Sequence, residues 1–172
     1  RLEAHLGDRP AVWAGSHIDA VPDGGAFDGA LGVIAAIEVL RAVHESGARL
    51  QRPVRAVSFS DEEGSFAHLF GSSALTRGFA ETELQRMTGR DATPLADALR
   101  DALGVSLGDA AAARLPAAGV HAYLELHIEQ GPILEAEGRQ IGVVQGVQGM
   151  RWFDLVGVAH EADLSGDAAR IA

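Results

Sequence analysis

The chain has 172 residues, a length that holds one domain with room for part of a second. It carries 24 acidic against 14 basic residues, a net charge of −10, which disfavours nucleic acid and anionic membrane surfaces as partners. Cysteine, lysine and asparagine are all absent, which excludes disulfides, thiol nucleophiles, Schiff-base lysines, phosphate-loop lysines and N-glycosylation, and leaves any metal site to His, Asp and Glu.

Hydrophobic residues make up 47% of the chain, enough for a packed core. No apolar run approaches the roughly 18 residues of a membrane span, and no basic-then-apolar leader opens the sequence. The chain starts at Arg1-Leu2-Glu3 without a methionine, which reads as a fragment or a trimmed chain.

Ala11 to Gly15 is a short apolar run that ends in Ser16-His17-Ile18-Asp19, so it reads as a buried strand followed by a turn. Leu31, Ile34, Ile37 and Leu40 recur at helical spacing, widened by Val33, Val39 and Val43, which predicts a mostly buried helix closed by Gly47. Asp28 or Gly29 stands at its N-cap. Val54 to Ser60 reads as a second strand, completing a strand–helix–strand unit and pointing to a parallel sheet. Residues 72 to 104 read as helix and loop, with Leu95, Ala96, Leu99 and Leu103 on one face, and the Ala-rich stretch 110 to 118 as helix then loop. Tyr123 to Ile128 reads as a third strand, and Pro132 suits the first turn of a helix ending at Gly138. Gln140 to Val147 and Trp152 to Val158 read as further strands.

Three groups of possible ligands fall at or just after predicted strands: His17 with Asp19, Glu62 with Glu63, and His127 with Glu129. Asp28 adds a fourth at a helix start. In an open α/β sheet, ligands bind beyond the carboxyl ends of the strands, where such groups converge. Imidazoles with carboxylates suit Zn²⁺ and its neighbours, and a carboxylate free of metal can move a proton. Each group also has a plainer reading: His17 as a turn residue, Asp28 as a helix cap, Asp61-Glu62-Glu63 as a solvated acidic turn, and His127 as a buried strand histidine. His5, His44, His68 and His121 read as surface or loop residues.

Longer strings carry a resemblance. Gly15-Ser-His-Ile-Asp-Ala-Val-Pro-Asp-Gly-Gly-Ala-Phe-Asp-Gly-Ala-Leu-Gly-Val33 resembles the first metal motif of the amidase/hydantoinase/carbamoylase group of dizinc peptidase-like hydrolases. Asp61-Glu-Glu-Gly-Ser65 resembles its paired-glutamate motif, and Tyr123-Leu-Glu-Leu-His-Ile-Glu-Gln-Gly-Pro-Ile-Leu-Glu135 its third. The group includes N-carbamoyl-L-amino-acid hydrolases, allantoate amidohydrolases and β-ureidopropionases. The resemblance implies an α/β catalytic domain over residues 1–149, a partial parallel or mixed sheet flanked by helices, and the start of an α+β lid or dimerisation domain over residues 150–172. It implies that His17 and His127 bind one metal, that Asp28 bridges two, and that Glu63 binds the second. Glu62 becomes the general base and Asp19 the support of His17.

The implied cofactor is Zn²⁺, two ions in the family, with Mn²⁺, Co²⁺ or Ni²⁺ as substitutes. The implied activity is hydrolysis of a linear, non-peptide C–N bond in an N-carbamoyl or ureido acid through a metal-activated water. The implied setting is a cytoplasmic homodimer with no nucleic-acid or membrane partner.

Departures are visible as well. No residue here stands for a further histidine ligand of the second metal. Ser65-Phe66 lacks the arginine that usually follows the glutamate pair, and His160 stands in a shortened version of the lid-histidine string. Two alternatives therefore stay open: an inactive remnant binding at most one metal, and an aminoacylase or dipeptidase specificity. The faces that absent segments would cover are expected to be apolar and to favour self-association.

Overall fold

The computed structural model describes residues 9–21, 23–115, 117–147 and 149. Element order in this range is β1 (Ala11–His17), α1 (Ala30–Ser46), β2 (Val54–Phe59), α2 (Phe70–Thr76), α3 (Glu81–Leu84), α4 (Leu95–Leu103), α5 (Leu107–Ala111), a 3₁₀ turn (Ala117–Gly119), β3 (Val120–Leu124) and α6 (Ile133–Ala136). No described helix is long and apolar enough to cross a membrane.

The strands form one sheet in the order β2-β1-β3, with both pairings parallel. A parallel sheet points all its strand ends the same way, so residues following β1, β2 and β3 emerge at one edge. The β1–β2 ladder runs from Val12–Val54 to His17–Phe59. The β1–β3 ladder stops earlier, at Ala14–Leu124.

That early stop moves the third strand from the expected 123–128 to Val120–Leu124. The apolar alternation of Tyr123, Leu124, Leu126 and Ile128 continues past the point where β1 offers backbone partners, and a strand without a partner ladder is not a strand. His127 therefore lies in the loop beyond β3 rather than on the strand.

Helix α1 ends as expected, at Gly47 in the left-handed conformation. The expectation of a mostly buried helix does not hold. Gly32, Val33 and Ala36 are buried, while Ile34 and Ile37 are 60% and 53% exposed. The helix packs on β1 and β2, and a three-stranded sheet covers only one side of it.

Residues 66–111 form a separate packed cluster. Phe70, Phe79, Leu84, Leu95 and Leu99 are buried together, with Phe66, Met87 and Leu107 against them. The Phe70 and Phe79 rings stack with centroids 5.3 Å apart. Helices α2, α3 and α5 have seven, four and five residues, too short to persist alone, so this shared core holds them. Helix α5 is also capped reciprocally: the Ser106 hydroxyl accepts from the Asp109 N–H at 3.1 Å, and the Asp109 carboxylate accepts from the Ser106 N–H at 3.1 Å.

By contact, the chain forms two compact units, one ending at Gln130 and one beginning at Gly131. In the second, α6 is a single turn with Pro132 at its N-cap and Gly138 at φ 63°. Residues 140–147, expected as a strand, form none. The strand expected over 152–158, the start of the lid, and His160 and His5 lie outside the described residues.

Candidate metal centre

His17 is the last residue of β1 and only 6% exposed. Asp28, just before α1, is 3% exposed. Of the two N-cap candidates, Gly29 takes the cap position, and no side chain caps the helix, which leaves the Asp28 carboxylate for another use. Its carboxylate instead faces His127. His17, Asp28 and His127 form a group whose ligand atoms all lie within 4.8 Å of one another.

Two glycines make this approach possible. At Gly29, with φ +63°, a Cβ would stand 2.4 Å from His17 Nδ1. At Gly32, a Cβ would stand 2.4 Å from the Leu126 carbonyl and 2.7 Å from Ser16 Cβ. The first turn of α1 can therefore lie directly against both histidine-bearing segments.

The imidazole orientations are fixed by main chain. His17 Nδ1 lies 2.8 Å from the Asp19 carbonyl, and His127 Nδ1 lies 2.9 Å from the Ile128 carbonyl. A carbonyl only accepts, so each Nδ1 carries its hydrogen and each neutral ring presents an unprotonated Nε2. These two Nε2 atoms face each other at 3.4 Å, and His127 Nε2 is 3.4 Å from Asp28 Oδ1. With Zn–N bonds of about 2.0–2.1 Å, tetrahedral ligand atoms stand about 3.3–3.4 Å apart. Two lone pairs and a buried carboxylate oxygen, two of their separations at that spacing and all three within 4.8 Å, fit a divalent cation.

The other candidates surround this trio. Glu63 Oε1 is 3.9 Å from His17 Nε2. The Asp19 carboxylate lies 3.7 Å from His17 Nδ1 through Oδ1, while its Oδ2 accepts from the Glu63 N–H at 2.9 Å. Asp19 thus orients His17 through its main-chain carbonyl and holds the glutamate pair through its side chain. Asp19 Oδ1 is itself buried without a hydrogen-bond partner.

Asp61, at φ 57°, anchors the glutamate turn by accepting from the N–H groups of Ser65, Phe66 and Ala67. Glu62 points elsewhere: its Oε1 accepts from the Ser72 N–H at 2.7 Å and its Oε2 from the Ser72 hydroxyl at 2.8 Å. His44, His68 and His121 are exposed.

Sequence reasoning missed two polar partners. Gln130 donates through Nε2 to Asp28 Oδ1 at 3.2 Å, and Ser72 holds Glu62. Gln130 sits in the third motif beside His127 and could have been singled out there. Ser72, ten residues from Glu62 across a turn, left no local signal.

The model of peptidase family M20/M25/M40 matches residues 13–170. An N-carbamoyl-L-amino acid amidohydrolase of Geobacillus stearothermophilus is 39% identical over 177 residues, covering 94% of this chain and 40% of the relative. An allantoate deiminase of Arabidopsis thaliana is 37% identical over 153 residues, covering 87% of this chain and 29% of the relative. The crystal structure of a hydantoinase/carbamoylase family amidase from Burkholderia ambifaria superposes with a TM-score of 0.66 at 36% identity, covering 78% of this chain and 32% of that one. The chain spans well under half the length of each of these relatives.

Proposed function

Because the chain belongs to peptidase family M20/M25/M40, we propose that it is the metal-binding part of an amidohydrolase cleaving the linear C–N bond of an N-carbamoyl or ureido acid. The observation that carries this reading is His127 Nε2 standing 3.4 Å from both His17 Nε2 and Asp28 Oδ1, with all three ligand atoms within 4.8 Å of one another. The names of the relatives supply the substrate class.

In this reading, His17 and His127 would hold Zn²⁺, Asp28 would be shared between it and a second ion, and Glu63 would help hold that second ion. Bound divalent ions would supply Lewis acidity toward the substrate carbonyl and lower the pKa of water. Asp28 and Gln130 are joined by a hydrogen bond, which fixes the carboxylate. The Asp19 carbonyl keeps the His17 hydrogen on Nδ1, leaving the Nε2 lone pair free for a metal. Glu62 accepts the proton of the attacking water and hands it to the departing nitrogen. Each of its oxygens accepts one hydrogen bond from Ser72 and keeps a second lone pair. Residues 150–172 begin the lid, and the whole protein works as a cytoplasmic homodimer.

The engagement of both Glu62 oxygens favours a second reading, binding without turnover. Calorimetric titration with Zn²⁺, paired with hydrolysis assays on N-carbamoyl amino acids and allantoate, separates the two. We expect zinc binding that His17→Ala abolishes, with little or no turnover by this 172-residue chain alone. Zinc binding by the wild type that survives His17→Ala unchanged would overturn the site.

A further inference from the structure

We propose that Glu125 is a positioning residue for the metal centre, acting with Ser16 and Tyr123 to fix the segment that carries His127. This inference rests on the proposed metal site and goes beyond its ligands.

The need for such a device follows from the sheet. The β1–β3 ladder ends at Ala14–Leu124, while β1 runs on to His17 paired only with β2. His127 is then the third residue beyond the last paired position of β3. A three-residue free segment can sweep its end over as much as about 10 Å, whereas metal ligation tolerates errors of only about 0.2 Å. Something must replace the missing ladder.

Side chains do so. Ser16 is fully buried and directly precedes His17. Its hydroxyl donates to Glu125 Oε1 at 2.5 Å. The Tyr123 hydroxyl lies 2.8 Å from Glu125 Oε2 and 3.0 Å from the Gly15 carbonyl, donating to one at a time. Glu125 therefore clamps Gly15-Ser16, beside one histidine, to the residues leading to the other. The clamp crosses the gap where backbone pairing has stopped. Both Glu125 oxygens are used in it, so this carboxylate is a strut and not a ligand.

Partial burial, with the adjacent Glu125 carboxylate, holds the Tyr123 phenol well above the usual tyrosine range. Tyr123 is the only tyrosine in the chain, so its ionisation reports the clamp directly.

The test compares wild type, Glu125→Ala, Glu125→Gln and Ser16→Ala. Zinc affinity is measured by competition with a chromophoric chelator, and phenol ionisation by absorbance in the metal-free protein. We expect Glu125→Ala to weaken zinc binding about 10- to 100-fold, the range seen when supporting contacts of metal ligands are lost, and to move Tyr123 ionisation toward its ordinary value. Glu125→Gln, able to accept from only one hydroxyl, should fall between.

Ser16→Ala removes one buried hydroxyl with little change of volume. It should weaken zinc binding even if Glu125→Ala fails to fold. Wild-type zinc binding that Ser16→Ala and any folded Glu125→Ala variant leave unchanged would overturn the clamp alone. Absence of zinc binding by wild type would overturn the metal site, and the clamp with it.

Discussion

The helical cluster of residues 66–111 and the open end of the sheet bury different things. The cluster encloses Phe70, Phe79, Leu84, Leu95 and Leu99, all apolar. The sheet end encloses Ser16, His17 and Asp28, all polar, while neighbouring Tyr123, Leu124 and Leu126 stay exposed. Burying apolar surface stabilises a fold, whereas burying a carboxylate or imidazole costs stability unless partners replace water. The two regions differ in kind: the cluster contributes stability, and the sheet end holds the polar groups of the proposed metal site.

Three substitutions test this division. The largest effect is expected at Leu84, which is 1% exposed. Leu84→Ala should cost about 2–5 kcal/mol of unfolding free energy, read from denaturant melts, while leaving the zinc affinity of the folded protein unchanged. A parallel loss of zinc affinity would merge the two regions into one.

Asp28→Asn is expected to act the opposite way. It removes a buried negative charge with no change of shape, so metal-free stability should stay the same or rise. Zinc should no longer raise the melting temperature, because ligand stabilisation vanishes with binding. A loss of metal-free stability comparable to Leu84→Ala would show that the sheet end depends on Asp28 for its fold.

The smallest effect is expected from Tyr123. Its folded ionisation lies above that of the unfolded chain. The associated stability is present in full below about pH 10, the ordinary tyrosine value, and is lost as pH rises beyond it, because only the unfolded chain then releases the proton. Urea melts on either side of that pH should show the decline, and Tyr123→Phe should flatten it.

Much of this was legible in the sequence because the signals were local. Short apolar runs set β1 and β2, and Gly47 set the end of α1. What failed was whatever depended on neighbours. Alternation continued through Ile128, but β1 gave β3 no partner beyond Ala14. Residues 140–147 carry a strand-like apolar pattern, yet Val143, Val144 and Val147 are 77–86% exposed and no strand forms. Ile34 and Ile37 follow a helical stripe, but the sheet beneath α1 is too narrow to cover them.

The site divides along the same line. The motifs placed His17, Asp28 and His127 at converging ends, and the structure gathers their ligand atoms. The duties of Ser72, Gln130 and Glu125 were hidden, because each acts through a contact made ten or more residues away.

The bare positions at Gly29 and Gly32 carry a last consequence. Exchanging an imidazole or a carboxylate deletes one ligand and leaves its surroundings standing. Adding a single carbon at either glycine would wedge apart the walls from which the ligands hang. Across related sequences these two blank letters should therefore prove harder to rewrite than the proposed ligands themselves.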